Sequence, residues 1–226
     1  DADYSQIELR VLAHISGDEI MKKAFLDGVD IHTVTASQVF NQPIEWVTPD
    51  LRSKAKAVNF GIVYGIGAFS LSKDIGVSVP KASEYIRSYL SKYSGIAHYM
   101  EQTVAKAKRD GYVETMFGRR RYIKELAAKN KNLQAFGERV AKNTPIQGTA
   151  ADIIKIAMIK VYNRLKESGL DARLILQVHD ELIVEAKEDC AEKVALLLKE
   201  EMENAVKLTV PMTVDVNIGK TWYDTH

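Results

Sequence analysis

Residues 173–186 read RLILQVHDELIVEA, in which two apolar runs flank the polar triplet HDE at positions 179–181. The runs Arg173–Val178 and Leu182–Ala186 have the length and composition of strands, and the triplet predicts a tight hairpin turn between them. An ionised carboxylate beside a buried sheet is costly unless a cation or a hydrogen-bond donor compensates its charge. The triplet therefore fits a metal-binding acid pair, Asp180 and Glu181, and it fits a plain polar turn equally well.

A second acid, Asp3, lies in a short stretch just before a predicted helix. If this stretch forms a strand beside the hairpin, the carboxylates of Asp3 and Asp180 come together despite their separation in sequence. Two metal ions about 3.5–4 Å apart, held by such acids, can activate a hydroxyl and stabilise the leaving oxygen in a phosphoryl displacement. We therefore expect these two aspartates to form one site.

The other segments predict an α+β protein, rich in helix and with a small antiparallel sheet. No repeat or linker marks a boundary, so a single compact unit is expected. Pro145 lies inside the longest helical pattern and predicts a kink or break there, because proline removes a backbone donor. Helices are predicted over Gln6–Ile15, Ile31–Phe40, a segment opened by Thr48-Pro49, Lys81–Lys92, Ile96–Arg109, Leu133–Glu167 and Ala191–Val206, and strands over Tyr112–Phe117, Arg121–Ile123 and Met212–Val216.

Composition limits the class of protein. The chain has 226 residues, of which 46% are hydrophobic and 27% charged, enough for a sizeable core. It shows no signal-peptide pattern and no membrane-spanning apolar run, so we expect an intracellular protein without membrane contact. The single cysteine, Cys190, excludes an internal disulfide. The net charge of +1 argues against a histone-like protein, although the basic segment Arg119–Lys131 fits either phosphate contacts or a solvated loop.

Four side chains recur at intervals of four residues: Arg52, Lys56, Phe60 and Tyr64. They share one face of a helix, with a rise of about 6 Å between successive members. Two cations followed by two aromatic rings match a nucleotide laid along the helix, because Arg and Lys bind phosphate oxygens and an aromatic ring packs on a sugar or base. The alternative is an ordinary surface helix in which the cations face solvent and the two rings are buried in the core.

Three long motifs lie in one order along the chain. They are DYSQIELR at 3–10, RSKAKAVNFGIVYG at 52–65 and QVHDE at 177–181, and GKTWY follows at 219–223. This set resembles the polymerase motifs of family A DNA polymerases, the bacterial DNA polymerase I type. The resemblance covers essentially the whole chain, and three motifs in register are far more specific than any one of them.

The resemblance implies template-directed DNA synthesis with two Mg²⁺ ions. Asp3 and Asp180 would coordinate the ions together with the carbonyl of Tyr4, and Glu181 would lie near the primer terminus as the third catalytic acid. His179 would be a residue of the hairpin tip close to the primer end.

The resemblance also implies the residues that bind nucleotide and DNA. Arg52 and Lys56 would bind the triphosphate, joined by His32 and Gln6. Phe60 would pack on the incoming sugar and base, Tyr64 would lie near the template base, and Glu8 would exclude a ribose 2′-hydroxyl. The minor groove of the primer-template would be contacted by Arg139, Asn143 and Gln147, which are also spaced by four.

As subdomains, the resemblance implies a palm over 1–15 and 126–226 and mainly fingers over 16–125, with no segment that corresponds to the family's thumb or nuclease. The expected partners are primer-template DNA and dNTPs, for a monomer in the bacterial cytoplasm, associated with the nucleoid. Three alternatives remain. A phage-type RNA polymerase is disfavoured by Glu8, a metal-dependent phosphohydrolase lacks histidines at ligand-like spacing, and a nucleic-acid-binding fragment without activity stays open.

Overall fold

The computed structural model describes residues 1–225. The chain forms two compact units rather than the single unit expected. The first comprises residues 1–7 and 149–225, and the second comprises residues 8–148. The predicted limits of palm and fingers divide the chain at other positions than these two units, and they stay predictions. Within residues 1–225, no helix combines the length and the apolar character that crossing a lipid bilayer requires.

The first unit contains a four-stranded antiparallel sheet. Its strands are β1 (Ala2–Tyr4), β4 (Ala172–Val178), β5 (Glu181–Ala186) and β6 (Val214–Val216), in the order β4-β5-β1-β6. The hairpin expected from RLILQVHDELIVEA is formed by β4 and β5. The short N-terminal stretch is indeed a strand beside it, with Asp3 opposite Glu181.

Apolar side chains fix the position of β1. Ala2 and its partner Leu182 are fully buried, and so is most of Tyr4. The hydroxyl of Tyr4 donates to the carbonyl of Met202, 2.6 Å away, in helix α9 (Ala191–Glu203). Because successive side chains of a strand point to opposite faces, burying residues 2 and 4 turns Asp3 outward.

The second unit is helical apart from one small hairpin. Its helices are α1 (Ile7–Ser16, whose first residue belongs to the first unit), α2 (Glu19–Leu26), α3 (Ile31–Phe40), α4 (Pro49–Val63), α5 (Ala68–Asp74), α6 (Val79–Lys92) and α7 (Ser94–Asp110), followed by strands β2 (Tyr112–Glu114) and β3 (Arg120–Tyr122). Helix α8 (Lys131–Ser168) contributes residues to both units.

Local signals account for several helix ends. Asp30 caps α3 by accepting from the amide of Thr33, and Thr48 caps α4 by accepting from the amide of Leu51, with Pro49 at the first helical position. Helix α7 ends before Gly111, whose left-handed φ of 78° an L side chain rarely adopts. The bounds of α3 agree with the prediction at both ends.

Other expectations were incomplete or wrong. Helices α2 and α5 were not predicted, because segments of eight and seven residues carry little periodicity. Helix α8 runs without interruption through Pro145, so the helix does not break there, and the alternative of a kink stays a prediction. Glu181 is the first residue of β5 rather than part of the turn. The α+β class, rich in helix with a small antiparallel sheet, is confirmed.

Candidate functional site

Asp3 and Asp180 come together in the first unit. Asp3 is an exposed residue on β1, and Asp180 lies in the two-residue turn between β4 and β5. The backbone amide of Tyr4 donates to the carbonyl of Asp180 at 3.3 Å, which ties the strand to the turn. The two carboxyl groups lie within hydrogen-bonding reach of each other. The topology therefore produces the acid pair that the sequence suggested.

The charge on Asp180 is poorly compensated by the protein. Burial raises the pKa of its carboxyl, and the backbone amide of Asp180, the charge of His179 and the hydrogen bond with Asp3 offset this effect only in part. A carboxylate pair in this state is stabilised by a bound cation. The site contains hard oxygen donors, which suit Mg²⁺.

The two aspartates supply only part of a coordination shell. Among residues 1–225, no three His, Cys, Asp or Glu side chains are grouped as a set that could hold a metal ion. Mg²⁺ is commonly held by one or two carboxylates together with waters and substrate phosphates. The donor set therefore fits an ion that completes its shell with a phosphorylated ligand.

Glu181 has a different environment from the two aspartates. Its side chain is buried, and its Oε1 accepts a hydrogen bond of 2.9 Å from the indole Nε1 of Trp222. This contact links the GKTWY segment to the QVHDE motif. The geometry suits a group that stabilises the turn, and its role at a primer terminus stays a prediction.

Two of the expected site residues have a left-handed backbone. Gln6, between β1 and α1, has a φ of 57°, and His179, at the hairpin tip, has a φ of 50°. The side-chain amide of Gln177 donates to the carbonyl of His179 at 2.6 Å and so supports the tip. Backbone strain of this kind costs of order 1 kcal/mol or more and is concentrated at functional sites in proteins.

In the second unit, the face of α4 that carries the four side chains spaced by four residues points outward. Arg52, Lys56 and Tyr64 are exposed and Phe60 is half-buried, whereas the opposite face is buried through Ala55, Val58, Asn59 and Ile62. The rings of Phe60 and Tyr64 are stacked, with centroids 6.2 Å apart. The core-facing alternative for the two rings is therefore not what the structure shows.

Arg52 is held by Asp30, the residue that caps α3. Asp30 accepts from its Nε at 2.6 Å and from its Nη2 at 3.2 Å, in the forked geometry of an Arg–carboxylate pair. Burial alone would raise the pKa of Asp30, but hydrogen bonds from Arg52 and Thr33 outweigh it and lower the pKa to about 2. Asp30 thus caps α3 and also orients Arg52, which is predicted to bind phosphate.

His32 lies beside the same face. Its ring centroid is 5.8 Å from that of Phe60, and the charges of Asp30, Arg52 and Lys56 act on it. Burial, with a smaller contribution from the two cations and against the opposing charge of Asp30, lowers the pKa of His32 to about 4. The imidazole is therefore neutral at pH 7.

A groove of about 500 Å³ adjoins the aromatic end of α4. It is large enough for a planar heterocycle, and both stacked rings line it. The full lining comprises Ala57, Phe60, Gly61, Tyr64, Ile66, Gly67, Ser70, Asp74 and Arg139.

The three predicted minor-groove residues differ in their surroundings. The amide of Asn143 donates to the carbonyl of Tyr64 at 3.0 Å, at the end of α4. A Cβ at Gly65 would lie 3.2 Å from Cγ of Arg139, so the chain just after α4 approaches α8 closely. Gln147 is exposed. Arg139 and Asn143 thus lie near the C-terminal end of α4, the helix predicted to bind the nucleotide. Their contacts with DNA stay predictions.

The basic segment is partly neutralised. Arg120 pairs with Glu114 at 3.1 Å, and Arg119 and Arg121 donate to the carbonyl of Gly148 and the hydroxyl of Thr144. These arginines are exposed. The first residues of the segment therefore form the exposed strand β3 of a hairpin.

Comparison with known proteins places the chain in a family. The family described as DNA polymerase family A matches residues 1–224. The chain is 53% identical over 225 residues to DNA polymerase I of Caldicellulosiruptor bescii, covering all of this chain and 26% of that protein. It is 54% identical over 223 residues to DNA polymerase I of Bacillus subtilis, covering 99% of this chain and 25% of that protein.

A solved structure shares the fold. It is the POL domain of Pol1 from M. smegmatis in complex with DNA primer-template and dNTP, with a TM-score of 0.94 and 43% identity, and the match covers 99% of this chain and 40% of that one. The chain thus spans about a quarter of the length of the curated relatives it matches. With motifs, fold and whole-chain identity in agreement, this chain belongs to DNA polymerase family A.

Proposed function

We propose that this chain carries out template-directed DNA synthesis, transferring a nucleotide from a dNTP to a primer 3′-hydroxyl. Membership of the family supports the reaction class, and the carboxyl pair of Asp3 and Asp180 is the observation that carries the chemistry. When bound, two Mg²⁺ ions would make the primer hydroxyl a better nucleophile and neutralise charge on the phosphate. Asp3, Asp180 and the carbonyl of Tyr4 are the groups we assign to hold them.

Side chains on α3 and α4 would bind the nucleotide. Arg52 and Lys56 supply positive charge for the triphosphate, and His32 adds a hydrogen-bond donor. Phe60 would pack on sugar and base, and Tyr64 on the template base. Gln6 and Glu8 complete the proposed dNTP contacts, with Glu8 excluding the 2′-hydroxyl of a ribonucleotide.

DNA would be held by Arg139, Asn143 and Gln147 in the minor groove and by His179 near the primer end. The minor-groove edges of all base pairs offer acceptors at similar positions, so such contacts test pair geometry without reading sequence. Further phosphate contacts would come from the basic hairpin, formed by β2 and β3, through Arg119, Arg120 and Arg121. Such contacts make DNA binding sensitive to salt. We retain palm over 1–15 and 126–226, and fingers over 16–125, as the proposed subdomains.

Primer extension in Mg²⁺ tests this function. We expect the chain to extend a primer on a DNA template with dNTPs and to use ribonucleotides poorly. Binding of primer-template without any extension would favour the alternative, a nucleic-acid-binding fragment. Efficient use of ribonucleotides would favour an RNA polymerase.

Replacing Phe60 by Tyr is expected to raise incorporation of dideoxynucleotides. A dideoxynucleotide lacks the 3′-hydroxyl, and the phenol introduced by Phe60→Tyr would provide a polar group where that hydroxyl is missing. The ratio of chain termination to extension in a sequencing-type assay measures the effect. Phe117→Tyr, at an exposed phenylalanine of the basic hairpin, is the matched control. Equal termination ratios for Phe60→Tyr and the unsubstituted chain would refute the assignment of Phe60 to the sugar.

A further inference from the structure

Behind the outward face of α4, a row of buried polar side chains connects three helices. The hydroxyl of Tyr93, just before α7, lies 3.0 Å from Oγ1 of Thr35 on α3. Thr35 in turn donates to Oδ1 of Asn59 on α4 at 3.0 Å, and Nδ2 of Asn59 lies 3.0 Å from Nδ1 of His32. Tyr93, Thr35 and Asn59 have no exposed surface, and His32 is 2% exposed.

The hydrogen bonds of this row all run in one direction. Among residues 1–225, the buried hydroxyl of Tyr93 has Thr35 as its sole hydrogen-bond partner, so it donates to Oγ1 of Thr35, and Thr35 uses its own proton on Oδ1 of Asn59. With Oδ1 of Asn59 occupied as an acceptor, its amide nitrogen faces the imidazole. An amide nitrogen only donates, so Nδ1 of His32 must accept and carries no proton. In a neutral imidazole the single proton then resides on Nε2.

The Nε2 atom is left for a ligand. Among residues 1–225, the imidazole of His32 makes no hydrogen bond other than the one through Nδ1. The charged neighbours of the ring are Asp30, Arg52 and Lys56, on α3 and α4. The pKa of about 4 keeps the ring neutral at pH 7, so the choice of tautomer decides whether Nε2 donates or accepts.

We propose that Asn59 is a positioning residue that fixes His32 in the Nε2–H tautomer, so that His32 donates a hydrogen bond to a phosphate oxygen of the incoming dNTP. The ligand rests on the proposed function, whereas the tautomer rests on the buried row alone. The opposite tautomer would present a lone pair to the triphosphate, and a lone pair repels a phosphate oxygen. Thr35 and Tyr93 contribute by preventing the amide of Asn59 from turning over.

Nitrogen-15 NMR of histidine-labelled protein at pH 7 tests the tautomer directly. The chain has five histidines, and the loss of one signal set in His32→Ala assigns His32. We expect a proton on Nε2 and an unprotonated Nδ1. Asn59→Asp places only acceptors opposite Nδ1 and is expected to move a proton onto Nδ1. A His32 protonated on Nδ1 in the unsubstituted chain would overturn the proposal.

A second variant covers the case in which a buried aspartate prevents folding. Thr35→Val is nearly isosteric and removes the hydroxyl that orients Asn59, so we expect a mixture of the two tautomers. Ser72→Ala removes another buried hydroxyl of the same unit, bonded to the carbonyl of Phe69, and is expected to leave the His32 signals unchanged. An unchanged tautomer in Thr35→Val would contradict the role of the row.

A double-mutant cycle separates positioning from other effects. Affinity for dTTP with Mg²⁺ is measured by calorimetry for Asn59→Asp, with and without His32→Ala. We expect Asn59→Asp to weaken binding about tenfold more when His32 is present, the size of one lost hydrogen bond to a charged group. Equal weakening in both backgrounds would mean that Asn59 does not act through His32.

The two proposals fail differently. If the unsubstituted chain neither binds dTTP nor extends a primer, the proposed function is refuted, while the NMR result still decides whether Asn59 sets the tautomer. If it binds dTTP and the tautomer is wrong, only the positioning role is refuted.

Discussion

Replacing Asp180 by Asn should reduce primer extension by at least about a hundredfold, the scale seen when one preorganised electrostatic group is removed from an active site. Asn keeps the shape of Asp but loses the charge that would hold Mg²⁺. Extension at saturating dNTP and Mg²⁺ is the measurement, since it reports the chemical step rather than binding.

The same substitution should leave the free energy of unfolding unchanged or higher. Burial opposes the ionised form of Asp180, and its pKa is raised accordingly. Removing the charge therefore removes an unfavourable contribution in the protein without metal. Activity and stability are thus expected to move independently, as at sites where function requires strained or poorly compensated groups.

Glu185→Gln is the matched control for Asp180→Asn. Glu185 lies on β5, is largely exposed and pairs with Arg173 at 3.4 Å. The same loss of charge there should lower the free energy of unfolding by at most about 1 kcal/mol and leave primer extension unchanged. If Asp180→Asn still extends the primer, or if both variants lose extension, the assignment of Asp180 to the site would be refuted.

The sequence allowed the sheet and the acid pair to be predicted because local signals and topology agreed there. The apolar runs around the turn predicted the hairpin, and the acid pair followed only if the N-terminal stretch paired beside it. The structure shows this pairing and the outward side chain of Asp3. The caps Thr48 and Asp30 likewise act within a few residues, so the helices they open could be located.

The second layer of the site could not be predicted in this way. Asp30 reaches Arg52 and Asn59 reaches His32 only because α3 packs against α4, and no spacing along one helix contains that fact. The partner of Glu181 was equally hidden, since Trp222 is distant in sequence. Periodicity identifies the side chains of a face, whereas the groups that orient them come from neighbouring elements.

The continuous helix across Pro145 shows the limit of a local rule. Proline removes one backbone donor and disfavours the preceding turn, yet α8 is helical over all of its 38 residues. Ile146 and Ile153 on this helix are fully buried, and tertiary packing of this kind outweighs a local cost of about 3 kcal/mol.

Replacing Gly95 by Ala should lower the free energy of unfolding by about 2 kcal/mol, because this glycine allows α7 to approach the start of α2. A Cβ at position 95 would lie 2.8 Å from Cα of Asp18, which is backbone and cannot rotate away. The amide of Gly95 donates to Oδ2 of Asp18 at 3.0 Å, while Oδ1 caps α2 through the amide of Met21. Pushing the two apart therefore weakens both the packing and a charge-assisted hydrogen bond.

Two opposing effects set the size of this loss. Alanine favours a helix by about 1 kcal/mol over glycine, whereas overpacking costs about 1–3 kcal/mol and a hydrogen bond to a charged group contributes about 1.5–3 kcal/mol. Gly67→Ala is the control, since nothing lies within 4 Å of a Cβ there and its φ of −84° suits alanine. Urea unfolding of both variants gives the comparison. Equal stability for Gly95→Ala and Gly67→Ala would mean that Asp18 can move, and that the start of α7 is not fixed by this contact.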